Sequence, residues 1–135
     1  MYSRKGILAA DESTGTIGKR FATISLDNTL ENRTAYRKLL FTTAGLEENI
    51  SGVITYDETL RNTTLINHLL SKNIVVGIKT DLGAKPLYGT NGETVTQGID
   101  NLDKRCAEYY KLGARFAKWR GILKISEVCL TNYKK

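Results

Sequence analysis

The feature that most constrains the fold of this sequence is the alternation of short apolar runs with amphipathic stretches at helical spacing. Four runs read as strands, and they cover residues 6–11, 52–56, 74–81 and 114–120. Helical stretches separate each run from the next. This alternation predicts a parallel β-sheet covered by helices, because parallel strands need long crossover connections.

Four helical stretches are predicted between and around these strands. The first is capped by Ser13 or Thr14, the second runs from Asn28 to near Gly45, and later stretches end at Asn73 and Gly113. The side chains expected to face the core recur at helical spacing. They are Ile17, Phe21 and Ile24, then Leu30, Tyr36, Leu39 and Leu40, then Leu65, Ile66, Leu69 and Leu70, and finally Leu102, Cys106, Tyr109 and Tyr110. Residues 82–98 contain Pro86 and several glycines, which indicates a loop or hairpin with residues 94–96 extended.

The number of strand and helix units favours half of a TIM (β/α)8 barrel. Such a barrel takes roughly 250 residues, and this chain has 135 residues. A doubly wound open sheet shows the same alternation and stays open as an alternative. The sequence shows no internal repeat, low-complexity segment or interdomain linker, so residues 1–135 are predicted to form one partial barrel domain.

Composition limits the classes of binding partner and the cellular compartment expected for this chain. Lys and Arg total 20 against 14 Asp and Glu, giving a net charge of +6, which suits an anionic partner such as a phosphorylated metabolite, a nucleic acid or an acidic protein. No RRM, KH or helix-turn-helix signature supports nucleic-acid binding. The two cysteines, Cys106 and Cys129, are too few for a disulfide framework. The chain opens with an apolar run too short for a signal peptide or a membrane span, and His68 lacks partners for a metal site. A cytoplasmic protein without metal is therefore expected.

Charged side chains stand at the carboxyl ends of three of the four predicted strands. They are Asp11, Lys79, Asp81, Lys118 and Arg120. Ligands of parallel α/β folds bind at this end of the sheet, and strand alternation puts Lys79 with Asp81, and Lys118 with Arg120, on one face. Lys and Arg that converge there would bind phosphate. The alternative is that these charges only solvate the rim of the sheet.

Six segments resemble, in order, the class I (Schiff-base) fructose-bisphosphate aldolase family. They are GILAADESTGTIGKR (6–20), ENR (31–33), GVITYDETL (52–60), VVGIKTDLG (75–83), GTNGETVTQGIDNL (89–102) and GARFAKWRGILKI (113–125). The resemblance implies a (β/α)8 barrel and reversible aldol cleavage of fructose 1,6-bisphosphate to glycerone phosphate and glyceraldehyde 3-phosphate. It implies no metal and no other cofactor.

The resemblance also implies roles for individual residues. Asp11 matches an aspartate that assists proton transfer at the substrate hydroxyls, and Lys118 matches a lysine that stabilises charge during carbinolamine chemistry. The matched substrate-binding residues are Lys79, Arg120, Arg20, Arg33 and Thr16. The parent enzyme is expected to be glycolytic and homo-oligomeric.

The sequence also departs from the family pattern. By the resemblance, the Schiff-base lysine, the acid-base glutamates and a phosphate-binding loop would follow Lys135, and the segment before the first strand is short. The connection between Asp57 and Ile74 is shortened, and residues 128–135 form a divergent tail. Because the imine-forming amine is expected to be missing, we expect the chain alone to have little or no aldolase activity. A non-catalytic remnant that binds sugar phosphates or polyanions is the alternative, and a basic nucleic-acid-binding protein is a third.

Overall fold

The structure is a computed structural model that describes residues 4–125. The predicted divergent tail at residues 128–135 and Cys129 lie outside the described residues. In chain order the elements are β1 (Gly6–Ala10), α1 (Thr14–Ala22), α2 (Leu30–Phe41), α3 (Leu46–Asn49), β2 (Ile50–Thr55), α4 (Asp57–Leu60), α5 (Thr63–Ser71), β3 (Val75–Lys79), β4 (Ala84–Pro86), β5 (Thr94–Thr96), α6 (Leu102–Lys111) and β6 (Phe116–Lys118).

Four strands form a parallel sheet in the order β1-β2-β3-β6. Neighbouring strands pair in parallel throughout, for example Leu8 with Val53 and Lys79 with Lys118. This confirms the predicted parallel α/β sheet. The strand order follows the chain order without the reversal that marks a doubly wound sheet, so within residues 4–125 the order favours a barrel wall.

The ends of the first two helices differ in part from the prediction. Ser13 caps α1, and its side chain accepts a hydrogen bond from the Thr16 amide. The second helix does not open at Asn28, because Thr29 is its cap and accepts from the Asn32 amide. The Asn28 side chain instead donates to the Thr14 carbonyl at 3.0 Å. α2 also ends at Phe41 rather than near Gly45, and the intervening turn leads into the short helix α3, which the sequence reading missed.

The buried faces of the helices are narrower than predicted. Several predicted core side chains are exposed, namely Ile24, Leu30, Leu39, Leu70 and Tyr110. Ile24 lies beyond the end of α1, so it does not continue the buried stripe of that helix. In α2 the buried residues are Arg37 and Phe41, four positions apart, which rotates the buried face away from Leu39. Leu30 is exposed at the first position of the helix.

The predicted hairpin and the predicted ends of the last two helices agree with the structure, whereas the fourth strand is shorter than the predicted residues 114–120 and the short helix α4 was not predicted. The β4 and β5 strands pair antiparallel, which makes residues 84–96 the predicted hairpin. Asn73 has φ 57° and follows α5, while Gly113 has φ 106° and follows α6. Both are left-handed positions of the kind that end helices.

The two faces of the sheet differ in what covers them. Ala10, Val53, Val76 and Ile78 from the strands join helix residues such as Leu69 in one hydrophobic core. Because side chains alternate along a strand, the residues between them point to the other side, which we call the open face. It carries Ile7, Ala9, Ile54, Val75, Gly77 and Phe116, of which Ile7 is 60% exposed and Val75 44% exposed.

One aromatic ring covers part of the open face. Phe116 of β6 lies against both Gly77 and Gly52, two glycines on adjacent strands. A side chain at either glycine would contact that ring, so the missing Cβ atoms create the space that Phe116 fills. β6 is thereby packed onto β3 two residues before Lys118.

Neither a membrane segment nor a metal cluster is found within residues 4–125. No helix there combines the length and apolar composition needed to cross a bilayer. No group of three or more His, Cys, Asp or Glu side chains in that range is placed to hold a metal ion.

Candidate active site

A cavity of about 420 Å³ lies at the carboxyl ends of the four parallel strands. Five of the seven residues proposed from the sequence as site residues line it, namely Asp11, Thr16, Lys79, Lys118 and Arg120. Glu12, Tyr56 and Asp81 are among its other lining residues. The structure therefore brings together the charged strand ends that the sequence pattern placed at one edge of the sheet.

The cavity is spanned by an ion pair between its two most distant strands. Lys118 Nζ donates to Asp11 Oδ2 at 2.6 Å. Asp11 directly follows β1 and Lys118 ends β6, and these two strands form opposite edges of the sheet. In a flat sheet, edge strands three spacings apart would lie about 14 Å from each other. The ion pair therefore requires the sheet to curve toward its open face.

Lys79 is held by a second buried carboxylate. Its Nζ donates to Asp81 Oδ1 at 2.5 Å and to the Asp81 carbonyl at 2.7 Å. Asp81 Oδ2 accepts from the Arg120 backbone amide at 3.2 Å, and Oδ1 also accepts from the Gly83 amide at 3.2 Å. Burial by itself would raise the pKa of Asp81, but the hydrogen bond from Lys79 and the two amides outweigh it and lower that pKa below its ordinary value. Asp81 is therefore a carboxylate that holds the ammonium group in place.

Glu12 is a part of the site wall that the sequence reading missed. Its carboxylate accepts from Arg20 and Arg37, and the buried Arg37 also donates to the Glu12 carbonyl at 2.9 Å. Burial works to raise the pKa of Glu12, yet its backbone hydrogen bond and the Arg37 and Arg20 guanidinium groups bring the pKa below its ordinary value. The sequence held one signal for this contact, because Arg37 lies four positions before Phe41 on the buried side of α2 and needs a partner there.

Two of the proposed site residues lie outside the cavity lining. The Arg20 side chain is 59% exposed and pairs with Glu12. Arg33 makes a two-point contact with Glu58, at 2.9 and 2.7 Å, and also donates to the Asn28 carbonyl at 2.9 Å. Both arginines are thus engaged by carboxylates, of which Glu12 lines the cavity and Glu58 does not.

The arrangement suits acid-base chemistry beside an anion. The hydrogen-bonded Lys118 and Asp11 side chains can exchange a proton with a bound hydroxyl group. Lys79, Lys118 and Arg120 supply positive charge along one side of the cavity. Thr16 also lines the cavity, and its hydroxyl forms a hydrogen bond with Ser13 Oγ at 3.0 Å. A phosphorylated polyol fits this combination of charge and hydrogen-bonding groups.

Comparison with known proteins gives consistent matches. The family model described as fructose-bisphosphate aldolase class-I matches residues 1–134. The cytosolic fructose-bisphosphate aldolase 5 of Arabidopsis thaliana is 57% identical over 126 residues, which are 90% of this chain and 35% of that protein. A fructose-bisphosphate aldolase of Echinococcus multilocularis is 57% identical over 128 residues, again 90% of this chain and 35% of the relative.

A solved structure shows the same likeness in three dimensions. The fructose-bisphosphate aldolase from Plasmodium falciparum, crystallised in complex with TRAP and a small molecule inhibitor, superposes with a TM-score of 0.83 at 54% sequence identity. The match covers 87% of this chain and 35% of the solved chain. The chain therefore spans about a third of the length of the relatives that it matches.

Proposed function

This chain belongs to the class I fructose-bisphosphate aldolase family of lyases and has an α/β fold of the TIM-barrel family, and from this premise we propose that it supplies the first four strand and helix units of an aldolase barrel. The proposed reaction of the whole enzyme is the reversible cleavage of fructose 1,6-bisphosphate to glycerone phosphate and glyceraldehyde 3-phosphate. The sequential strand order and the curvature of the sheet toward its open face support the barrel.

The observation that carries this proposal is the hydrogen bond between Lys118 and Asp11 inside the cavity. We propose that Asp11 transfers a proton at a substrate hydroxyl and that Lys118 stabilises the charge that develops on the carbinolamine. Lys118 donates to this carboxylate at 2.6 Å, so its side chain is fixed in the cavity. A positive group held there suits stabilisation of a developing negative charge.

Substrate binding is assigned to the basic and hydroxyl groups of the same cavity. Lys79, Arg120 and Thr16 line it and are proposed to contact phosphate. Arg20 is proposed to bind substrate by leaving Glu12, because Arg37 would keep that carboxylate paired. Arg33 is also proposed to bind substrate, although Glu58 holds it outside the cavity lining in this structure.

The covalent step needs an amine that these assignments do not provide. An imine between a lysine and the substrate carbonyl acts as the electron sink for carbon-carbon cleavage. We propose that this lysine belongs to the part of the relatives that the chain does not match, together with the acid-base glutamates and a phosphate-binding loop. The chain alone is then expected to have little or no activity, and the reaction is proposed to need no metal.

The cellular compartment, the oligomeric state and the partner of the whole enzyme are also proposed. Two Arabidopsis thaliana relatives carry the word cytosolic in their names, which supports a cytoplasmic glycolytic role. The whole enzyme is proposed to be a homo-oligomer whose partner is a sugar bisphosphate rather than a nucleic acid or a membrane.

The test compares this chain with a chimera that continues into the remaining strands of the Arabidopsis thaliana aldolase. The chimera is expected to cleave fructose 1,6-bisphosphate, while residues 1–135 alone do not. Asp11→Asn and Lys118→Met in the chimera should each lower kcat/KM by about 100-fold or more, and Lys111→Met on the exposed end of α6 is the matched control. An inactive but folded chimera, or an Asp11→Asn variant with full activity, contradicts the proposal.

A second candidate function is a non-catalytic module that binds sugar phosphates or polyanions. It is favoured by one observation, that Lys79, Lys118 and Arg120 already lie together within this chain. Calorimetric titration of residues 1–135 with fructose 1,6-bisphosphate should then give a saturable heat that Lys79→Met weakens. The absence of saturable heat with the unmutated chain eliminates this candidate.

A further inference from the structure

Arg105 is a half-buried arginine that contacts the loop following β3 from the helix side. It lies on α6, and its Nη1 donates to the Thr80 carbonyl at 2.9 Å. Its Nη2 donates to the Gly98 carbonyl. Thr80 directly follows β3, whereas Gly98 lies between β5 and α6. One guanidinium group therefore joins the residue that follows β3 to the segment that precedes α6.

The same loop is held from a second side by the chain next to Gly98. The Leu82 amide donates to the Gln97 carbonyl at 2.8 Å, and the Gln97 amide donates to the Gly83 carbonyl at 2.9 Å. Gly98 has φ 123°, and a Cβ atom there would lie 3.0 Å from the Leu82 amide nitrogen. The backbone at Gly98 is thus packed directly against residues 80–82, at the point where Arg105 binds both segments.

This loop carries the carboxylate that arranges the basic side of the cavity. Asp81 accepts from Lys79 Nζ and from the Arg120 amide. We propose that Arg105 is a positioning residue for the phosphate-binding groups of the cavity, because it fixes residues 80–83 so that Asp81 holds Lys79 and the Arg120 backbone in place. This inference rests on the proposed function and names a residue outside the cavity that determines its geometry.

Arg105 can bind both carbonyls at once because its guanidinium group is planar and carries two terminal nitrogens. Two carbonyls are bound by two nitrogens of one planar group, and the buried Arg105 Nε has no hydrogen-bond partner within the described chain. The two carbonyl contacts therefore depend on the two terminal nitrogens of the guanidinium fork. A lysine, with one ammonium group on a flexible stem, cannot reproduce a planar two-point contact.

The experiment uses the whole chain with Arg105→Lys and Arg105→Met. Arg115→Met is the matched control, since Arg115 is exposed and also donates to carbonyls, those of Tyr110 and Ala114 at 3.0 and 2.8 Å. The readout is the NMR titration of the Asp81 carboxyl carbon, assigned with Asp81→Asn. In the unmutated chain the pKa of Asp81 is lowered by Lys79 and by the Arg120 and Gly83 amides. We expect it to rise toward its ordinary value in both Arg105 variants, and more in Arg105→Met.

Affinity for fructose 1,6-bisphosphate, measured by calorimetry, is the second readout. We expect about tenfold weaker binding for Arg105→Met, since small misplacements of binding groups have large effects, and a change within about twofold for Arg115→Met. A folded Arg105→Lys variant in which the Asp81 titration is unchanged overturns the proposal, as does an equal change in Arg115→Met. If the unmutated chain does not bind the bisphosphate, the proposed substrate fails, while the Asp81 titration still decides the role of Arg105.

Discussion

Replacing Gly77 by alanine should destabilise the chain by forcing Phe116 off the open face. A Cβ atom at Gly77 would lie 2.7 Å from Phe116 Cε1, with two other ring carbons nearer still. The ring cannot slide sideways without loss, because it also covers Gly52 at 3.4 Å from the position of a Cβ there. Overpacking of this kind costs about 1–3 kcal/mol, and replacing a glycine inside a strand offsets about 0.5–1 kcal/mol of it.

The expected net loss in the free energy of unfolding is therefore up to about 2.5 kcal/mol, which corresponds to a decrease in Tm of up to about 10 °C. Urea denaturation of the chain followed by circular dichroism measures it. Gly15→Ala is the control, because Gly15 lies in α1 with nothing within 4 Å of a Cβ atom. That variant should be as stable as the unmutated chain or more stable by up to about 1 kcal/mol.

A double-mutant cycle separates the clash from other effects of the substitution. In a Phe116→Ala background the ring is gone, so Gly77→Ala should be neutral or slightly stabilising, and the coupling energy should be about 1–3 kcal/mol. If Gly77→Ala lowers stability equally in both backgrounds, the ring is not the cause and the reasoning about the two glycines is refuted.

The remaining predictions concern charges and the core. Arg37→Met should lower the free energy of unfolding by about 2–4 kcal/mol, because Glu12 loses its buried partner, and an effect below 1 kcal/mol in urea denaturation would contradict this. The pKa values of Glu12 and Asp81 are lowered on folding, so their contribution to stability is present above about pH 4–5 and lost as the pH falls. Glu12→Gln should therefore flatten the stability profile between about pH 5 and 2, and an unchanged slope would argue against it. Leu69→Ala, at a fully buried core position, should cost about 2–5 kcal/mol by thermal denaturation, whereas Leu39→Ala on the exposed side of α2 should cost less than about 0.5 kcal/mol.

The strands were predicted more accurately than the helices, and the reason is physical. A strand buried in a parallel sheet is apolar over its whole length, so residues 74–79 could be recognised without knowing their neighbours. The buried side of a short helix depends on where the helix begins and ends. Once α1 stops at Ala22, Ile24 is exposed although its spacing is helical.

For the site, strand ends could be placed from the sequence but the contacts between distant segments could not. Asp11, Lys79 and Lys118 were predicted to converge because parallel strands end at one edge of a sheet. Glu12 and Arg105 were not predicted, because their partners depend on how α2 and α6 pack against the loops. Arg20 and Arg33 were proposed from resemblance alone, and the structure pairs each with a carboxylate and leaves both outside the cavity lining.

The hydrogen bond between Lys118 and Asp11 also has a consequence for the order in which the cavity forms during folding. The two residues are 107 positions apart in the chain, and they lie at the ends of the first and the last strand of the sheet in chain order. Closing so long a loop is slow compared with forming the helices. The contact between Lys118 and Asp11 is therefore expected to form late, once the strands between them have paired. If the proposed binding of an anion in this cavity holds, that binding reports a completed sheet.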